Sequence, residues 1–198
     1  MTKPTNQIML VLSSPSGAGK TTLTKKIQQK YKNFKISVSH TTRKSRANEI
    51  NGVDYHFVSK DEFQKMLKNN EFYEHAEIFD NYYGTSKKSI QDLIKNKNDI
   101  LFDIDWQGTQ QLSKYNELNL TKVFILPPSK KELKKRLVER EQDRNTSIEK
   151  RLLSFEMDSF HWNEYDYILL NDKLEICYNQ IEKIIHDKKN KFKEITFD

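Results

Sequence analysis

The sequence predicts an α/β fold, a parallel sheet carrying helices on both faces, with a small mixed insertion and a helical hairpin added to it. Three observations predict it. The apolar run Ile8-Met9-Leu10-Val11-Leu12 passes through a glycine-containing loop into a segment with helical spacing, Leu23 to Ile27. A second apolar run, Ile100-Leu101-Phe102, ends in carboxylates at Asp103 and Asp105. Two further short runs, Lys122–Leu126 and Tyr165–Leu170, alternate with helical segments, as buried strands of an α/β sheet do. A chain of 198 residues is long enough to bury one such core.

The loop after the first strand is Ser13-Ser14-Pro15-Ser16-Gly17-Ala18-Gly19-Lys20-Thr21-Thr22. Strand, glycine loop and helix in that order are the setting of a Walker A phosphate loop. Glycines let successive N–H groups turn toward one anion, and the helix N-terminus adds its dipole. Lys20 then supplies a full charge at the β/γ-phosphates, and the Thr21 hydroxyl can ligate Mg²⁺. Ser14 replaces the first glycine of the general pattern G-x-x-x-x-G-K-[ST], so a serine-rich helix cap is the competing reading.

Downstream, the first helix is expected to run to about Tyr31, with a short strand over Phe34–Ser39. Asn51-Gly52 is a turn signal, and Asp54–Val58 alternates as a half-buried strand does. Ser59 with Glu62 three residues on forms a capping box for a helix over Lys60–Asn69. Glu71–Phe79 is expected as a strand and Asn81-Tyr82-Tyr83-Gly84-Thr85 as the turn that closes the insertion, followed by a helix from Ser86 to about Asn96. Pro127-Pro128 stop a strand, and Ser129 caps a helix carrying Leu133 and Leu137 inward. Glu141–Ser147 has no apolar residue and is expected as an exposed loop before a helix over Ile148–Trp162. The closing helix is expected over Leu174–His186, with a charged, loose tail from Lys188 to Asp198.

No stretch approaches the ~20 apolar residues of a membrane span, and no secretory leader is expected. The single cysteine, Cys177, fits a reducing compartment and is expected to be a small apolar helix residue. The five histidines lack metal-ligand spacing, so no zinc site is expected. The net charge of +6 comes without any nucleic-acid motif. Lysine is spread everywhere, whereas all six arginines fall in two windows: Arg43 and Arg46, then Arg136, Arg140, Arg144 and Arg151. The planar guanidinium grips phosphate oxygens bidentately, so two phosphate clamps are expected there.

Taken together these residues resemble the guanylate kinase family of P-loop nucleoside monophosphate kinases, over Met9 to about His186. The resemblance rests on the loop Ser13–Thr22, on Ser37-Val38-Ser39-His40-Thr41-Thr42-Arg43 with Arg46, Glu49, Asn51-Gly52 and Asp54-Tyr55, on Glu71–Glu74 and Tyr82–Thr85, and on Asp103-Ile104-Asp105-Trp106-Gln107-Gly108. It implies a three-layer P-loop kinase core over residues 1–36, 90–128 and 161–198, a GMP-binding subdomain over 37–89 and lid helices over 129–160, in one domain of about 7–186. It also implies ATP contacts along Ser14, Pro15, Ser16, Gly17, Ala18, Gly19, Lys20, Thr21 and Thr22, with Asn171 at the adenine. Arg43, Arg46, Tyr55 and Tyr83 would hold the GMP phosphate, with Glu49 and Asp103 part of the same site. Ser39, Glu74, Thr85 and Asp105 would read the guanine. Lys20, Arg43, Arg136, Arg140 and Arg151 would carry the catalytic charge. The lid tip Glu141–Asn145 departs from the family in lacking glycine and threonine.

What the resemblance implies is transfer of a phosphoryl group from Mg²⁺-bound ATP to GMP, with dGMP open as a second acceptor, in the cytoplasm. The partners expected are these nucleotides, with neither nucleic acid nor membrane; a homodimer is left open. Three other readings stand beside it: a non-catalytic binding module of the same fold, a P-loop GTPase, and a kinase for another monophosphate. The second has no N-K-x-D motif in a suitable place here, and the first would not need an intact Lys20 and Thr21.

Overall fold

The computed structural model describes residues 7–139 and 145–194. Five strands form a wholly parallel sheet: β1 (Met9–Ser13), β2 (Phe34–Ile36), β7 (Asp99–Asp103), β8 (Leu120–Leu126) and β9 (Tyr167–Leu170). Their order is β2-β7-β1-β8-β9, which puts β1 at the centre, buried on both faces. An apolar run without alternation is what such a strand requires.

Alternate residues of β1, with Ile8 just before it, feed two cores. Ile8, Leu10 and Leu12 pack against Leu23 and Ile27 of α1 (Lys20–Lys30) and against Cys177, Ile181 and Ile185 of α7 (Leu174–Glu194). Met9 and Val11 pack against Ile90 of α3 (Lys87–Lys95) and Leu112 of α4 (Trp106–Leu112). Helix, sheet and helix make the three layers expected. Cys177 is fully buried, and burial pushes its thiol up to about 11, which leaves it an inert apolar group. No described helix is long and apolar enough to cross a membrane.

Between β2 and β7 the chain builds a second sheet, of order β4-β3-β6-β5, from β3 (His40–Thr41), β4 (His56–Phe57), β5 (Phe72–Ile78) and β6 (Asn81–Ser86). The segment Asn81–Thr85, expected as a turn, is instead most of β6, paired antiparallel with β5. The reversal lies earlier, at Phe79 and Asp80, both left-handed at φ 49° and 63°. Gly84 misled the sequence reading because its glycine serves close approach rather than turning: a Cβ there would stand 2.9 Å from the Phe72 ring and 3.1 Å from Phe63. The strand expected over Phe34–Ser39 stops at Ile36, and that over Asp54–Val58 contracts to His56–Phe57.

The capping box of α2 (Lys60–Lys68) forms as expected, with Glu62 N donating to Ser59 Oγ at 3.1 Å and Ser59 N to Glu62 Oε2 at 2.7 Å. Its one buried residue, Phe63, stacks on Phe72 and Tyr82, with centroids 4.6 and 5.5 Å away. The helices α5 (Lys130–Glu139) and α6 (Asn145–Ser159) meet through Leu133, Leu137, Ile148, Leu152 and Phe155, and a 3₁₀ turn over Phe160–Glu164 leads to β9. Ser129 Oγ caps α5 by accepting from Glu132 N at 3.1 Å. The loose tail expected after Lys188 is corrected as far as Glu194, where α7 ends. Lys189 holds it there, 3.6 Å from Asp99 Oδ2 and over the rings of Tyr31 and Phe34.

Phe63 is the single buried anchor of α2 on the small sheet, so Phe63→Ala should cost ~3–5 kcal/mol. Urea unfolding followed by circular dichroism checks this, and an unchanged midpoint would show that α2 is held by something else.

Candidate active site

The phosphate loop owes its shape to two left-handed glycines, Gly17 at φ 92° and Gly19 at φ 99°. Gly19 caps α1, so the N–H groups of the first turn face the loop's concave side. A Cβ on Gly17 would press on Leu133 and Leu137 of α5 at 2.8 and 2.9 Å, and one on Gly19 would strike the Asn171 amide. That amide donates from Nδ2 to Ala18 O at 2.7 Å and is itself buried. Lys20 Nζ reaches Asp103 Oδ1 at 2.8 Å and Ile104 O at 3.0 Å. The parallel register, Leu12 beside Asp103, is what brings the acidic strand end to the lysine.

A cleft of about 670 Å³ opens at the carboxyl ends of β1 and β7 and runs to the small sheet. Of the residues expected at the site, it brings together Ser14, Pro15, Ser16, Gly17, Gly19, Lys20, Thr21, Ser39, Arg43, Arg46, Tyr55, Glu74, Tyr83, Asp103, Asp105 and Arg151. Thr85 is fully buried and paired with Glu74 across the β5–β6 ladder, while Ala18 is buried and Thr22 exposed at the loop. Arg136 stands apart from the lining: Nε donates to Glu132 Oε1 at 3.0 Å and Nη2 to Asn171 O at 3.1 Å. Asn171 likewise supports the loop from behind. Arg140 and Arg144, and most of the tip Glu141–Asn145, lie outside the described residues.

Toward the small sheet, Arg43 makes a forked contact with Glu49, from Nη2 to Oε1 at 2.8 Å and to Oε2 at 2.9 Å. Arg46 N also donates to Glu49 Oε2, at 2.8 Å. One acid thus orients both arginines. Burial opposes the charge of each partner, yet Arg43 is raised above and Glu49 held below its ordinary range by their mutual bond. Tyr55 packs edge-on to Tyr83 at 6.0 Å with Arg43 over its ring, and burial together with nearby Asp103 pushes its hydroxyl strongly up.

Glu74 sits at an inward position of β5 and is 3% exposed. Burial pushes its carboxyl up to about 7, Asp105 adds to that, and Thr85 and Lys20 work against it. Asp105 caps α4, accepting from Gly108 N at 2.9 Å and from Gln107 Nε2 at 3.2 Å. Among the described residues no group of three or more His, Cys, Asp or Glu could hold a metal ion.

The family model described as guanylate kinase matches residues 6–188. The chain belongs to the guanylate kinase family. Membership makes it a kinase, a nucleotide-binding transferase. It is 45% identical over 184 residues to a guanylate kinase of Rickettsia bellii (strain RML369-C), covering 93% of this chain and 96% of the relative. Over 177 residues it is 45% identical to a guanylate kinase of Pseudoalteromonas translucida (strain TAC 125), covering 89% and 85%. The crystal structure of guanylate kinase from Anaplasma phagocytophilum matches with a TM-score of 0.76 and 34% identity, over 92% of this chain and 86% of that one. The SH3-kinase fragment of tight junction protein 3 shares the fold alone, with a TM-score of 0.50 and 10% identity over 93% of this chain and 58% of that one.

In this guanylate kinase-family chain the cleft also contains residues that sequence reasoning missed. Ser154 and Asp158 line it from α6, beside Arg151. The signal was present: positions 151, 154 and 158 recur at i, i+3 and i+7, one face of a helix. Arg151 Nη1 donates to Ser16 Oγ at 3.2 Å. Burial pushes the Asp158 carboxyl up to about 6, against the pull of its hydrogen bond from Trp106.

Gly19→Ala places a Cβ at positive φ and against the Asn171 amide. Strain of ~1–3 kcal/mol at the loop predicts ~5- to 150-fold weaker binding of a non-hydrolysable ATP analogue. Calorimetric titration of both proteins tests it, and equal affinities would show that the loop does not depend on this backbone geometry.

Proposed function

We propose that the chain catalyses ATP + GMP → ADP + GDP in the cytoplasm, with residues 37–89 as the GMP-binding subdomain and 129–160 as a lid. The observation that carries this reading is one cleft joining two sets of groups: the phosphate loop with Lys20, and the Arg43–Tyr55–Tyr83 cluster with the Glu74 carboxylate beyond it.

Phosphoryl transfer needs two anions brought into line and the charge on the moving group neutralised. In this reading the GMP phosphate takes Arg43 and Arg46, held in place by Glu49, with the hydroxyls of Tyr55 and Tyr83 as further donors. Lys20 exchanges Asp103 for the β/γ-phosphates, and Arg151 meets the moving group from the other side. Arg136, bonded to Glu132 and Asn171 O, supports the loop and reaches the phosphates only on movement of α5. Thr21 at the cleft, a single hydroxyl beside the acidic end of β7, suits Mg²⁺, which takes few protein oxygens and completes its shell with phosphates and water. Bound there, the ion would supply neutralisation of charge on the ATP phosphates. Closure of the lid excludes water as a competing acceptor.

Guanine presents N1–H and a 2-amino group side by side, and an ionised carboxylate accepts both. Ser39, Thr85 and Asp105 complete the pocket around Glu74. A coupled ADP-release assay offering GMP, AMP, CMP and UMP in turn with Mg-ATP should show turnover with GMP above all others. Equal turnover with AMP would overturn the base assignment.

The upward-shifted pKa of Glu74 makes a second expectation. Below about 7 the free enzyme carries this acid protonated, which replaces one acceptor with a donor facing the N1–H. The KM for GMP should therefore climb as pH falls through 7, approaching about tenfold per pH unit. The GMP phosphate titrates near ~6 by itself, and Glu74→Gln separates the two. The variant should keep only the component near ~6; a profile identical to the parent's would remove Glu74 from base reading.

A further inference from the structure

Trp106 opens α4 directly after Asp105, and no step above uses it. Its indole is held on two sides. Nε1–H donates to Asp158 Oδ1 at 3.2 Å, and the ring stacks face to face on His161, with centroids 3.6 Å apart and planes 7° from parallel. His161 Nδ1 lies 2.7 Å from Glu164 Oε1. Gln110, one turn after Trp106 on α4, donates from Nε2 to both Glu164 oxygens at 3.0 and 2.9 Å. The chain of contacts thus leaves α4, reaches the end of α6 and the 3₁₀ turn after it, and returns to α4.

This clasp bears on the cleft through the geometry of α6. Asp158 and Arg151 lie seven residues apart on one face, about two turns, and both line the cleft. Fixing Asp158 against the indole therefore fixes the rotation of the helix face that presents Arg151 to Ser16. Elsewhere α6 meets α5 through apolar packing at Ile148, Leu152 and Phe155 and through one exposed ion pair, Lys130 Nζ to Glu156 Oε1 at 2.7 Å, whose long side chains set the rotation only loosely. Directional bonds at the far end supply what that packing lacks.

We propose that Trp106 is a positioning residue for phosphoryl transfer: by clasping Asp158 and His161 it sets the rotation of α6 and hence the place of Arg151 over the phosphate loop. The proposal rests on the reading of Arg151 given above. Its distinguishing consequence is that Trp106 acts through Arg151.

The test is a double-mutant cycle on the full chain with Trp106→Phe and Arg151→Ala, reading kcat and the KM for GMP. With Arg151 present, Trp106→Phe should lower kcat about tenfold and move the GMP KM less than about threefold; in the Arg151→Ala background it should cost less than about twofold. An equal loss in both backgrounds means a merely structural role and overturns the proposal. Should Trp106→Phe fail to fold, His161→Ala removes the stacking partner and enters the same cycle with the same expectations. A second arm is independent of turnover. In a Trp162→Phe chain Trp106 is the only indole, and Asp158→Ala or His161→Ala should raise its quenching by acrylamide about twofold if the half-buried ring is released. Unchanged quenching shows that no clasp exists. A parent chain inactive with GMP would overturn the function reading and the catalytic role with it, whereas an active parent with an additive cycle overturns this proposal alone.

Discussion

The ion pair between Lys20 and Asp103 is the contact on which the cleft depends. It ties the first residue of α1 to the last of β7, across the central strand, and the Ile104 carbonyl takes a second donor from the same ammonium. Its side chains are 18% and 22% exposed, deeper than the surface pairs worth ~0–1 kcal/mol. Burial there costs solvation, so the geometry must be good for the pair to hold. It holds because register, not side-chain reach, sets the distance: Leu12 and Asp103 are neighbours in the ladder. The same arrangement recurs at a distance, with Arg43 on Glu49 and Arg136 on Glu132. Each of these cations is held in place by a carboxylate. The proposed substrates would exchange partners with pre-placed charges rather than recruit mobile ones, which spares ordering cost at binding.

How much of this was legible follows from how local each signal is. The phosphate loop could be read because its glycines, lysine and flanking strand lie within about fifteen residues and act through backbone conformation alone. The capping box of α2 and the buried strands were legible for the same reason. Gly84 was not: its meaning lies in Phe63 and Phe72, which are remote in sequence, so a residue that signals turning in isolation sits inside a strand. The end of α7 was missed because Lys189 is fixed by Asp99 and by two aromatic rings of the first βα unit. Helix α4 escaped notice because Gly108 and three glutamines give it little amphipathic pattern. The resemblance named Asn171 as a nucleotide contact; its buried amide, bonded to Ala18 O, also braces the loop. No residue count reveals that role, since it depends on β9 ending beside the loop.

The carboxylates of the cleft raise a question that the phosphate cluster does not answer. Glu74 and Asp158 are both pushed up chiefly by burial, and each is pushed further by the charge of Asp105. Three acids converging on one side of a cleft repel each other, and Lys20 relieves each of the two raised ones only in part. Such an arrangement is poor for stability, since a buried acid lacking sufficient donors carries its desolvation penalty uncompensated. Asp105 meets part of its need by capping α4, and Asp158 by the Trp106 indole. Glu74 keeps a carboxyl pushed up to about 7. Its acceptor capacity is open to donors on a ligand in the cleft, which Arg43 and Arg46 also line. A ligand satisfies both only if it carries an anion and, elsewhere, adjacent N–H donors. A guanine nucleotide is built that way and an adenine nucleotide is not, so charge complementarity along the length of the cleft argues for the same base that the single carboxylate does.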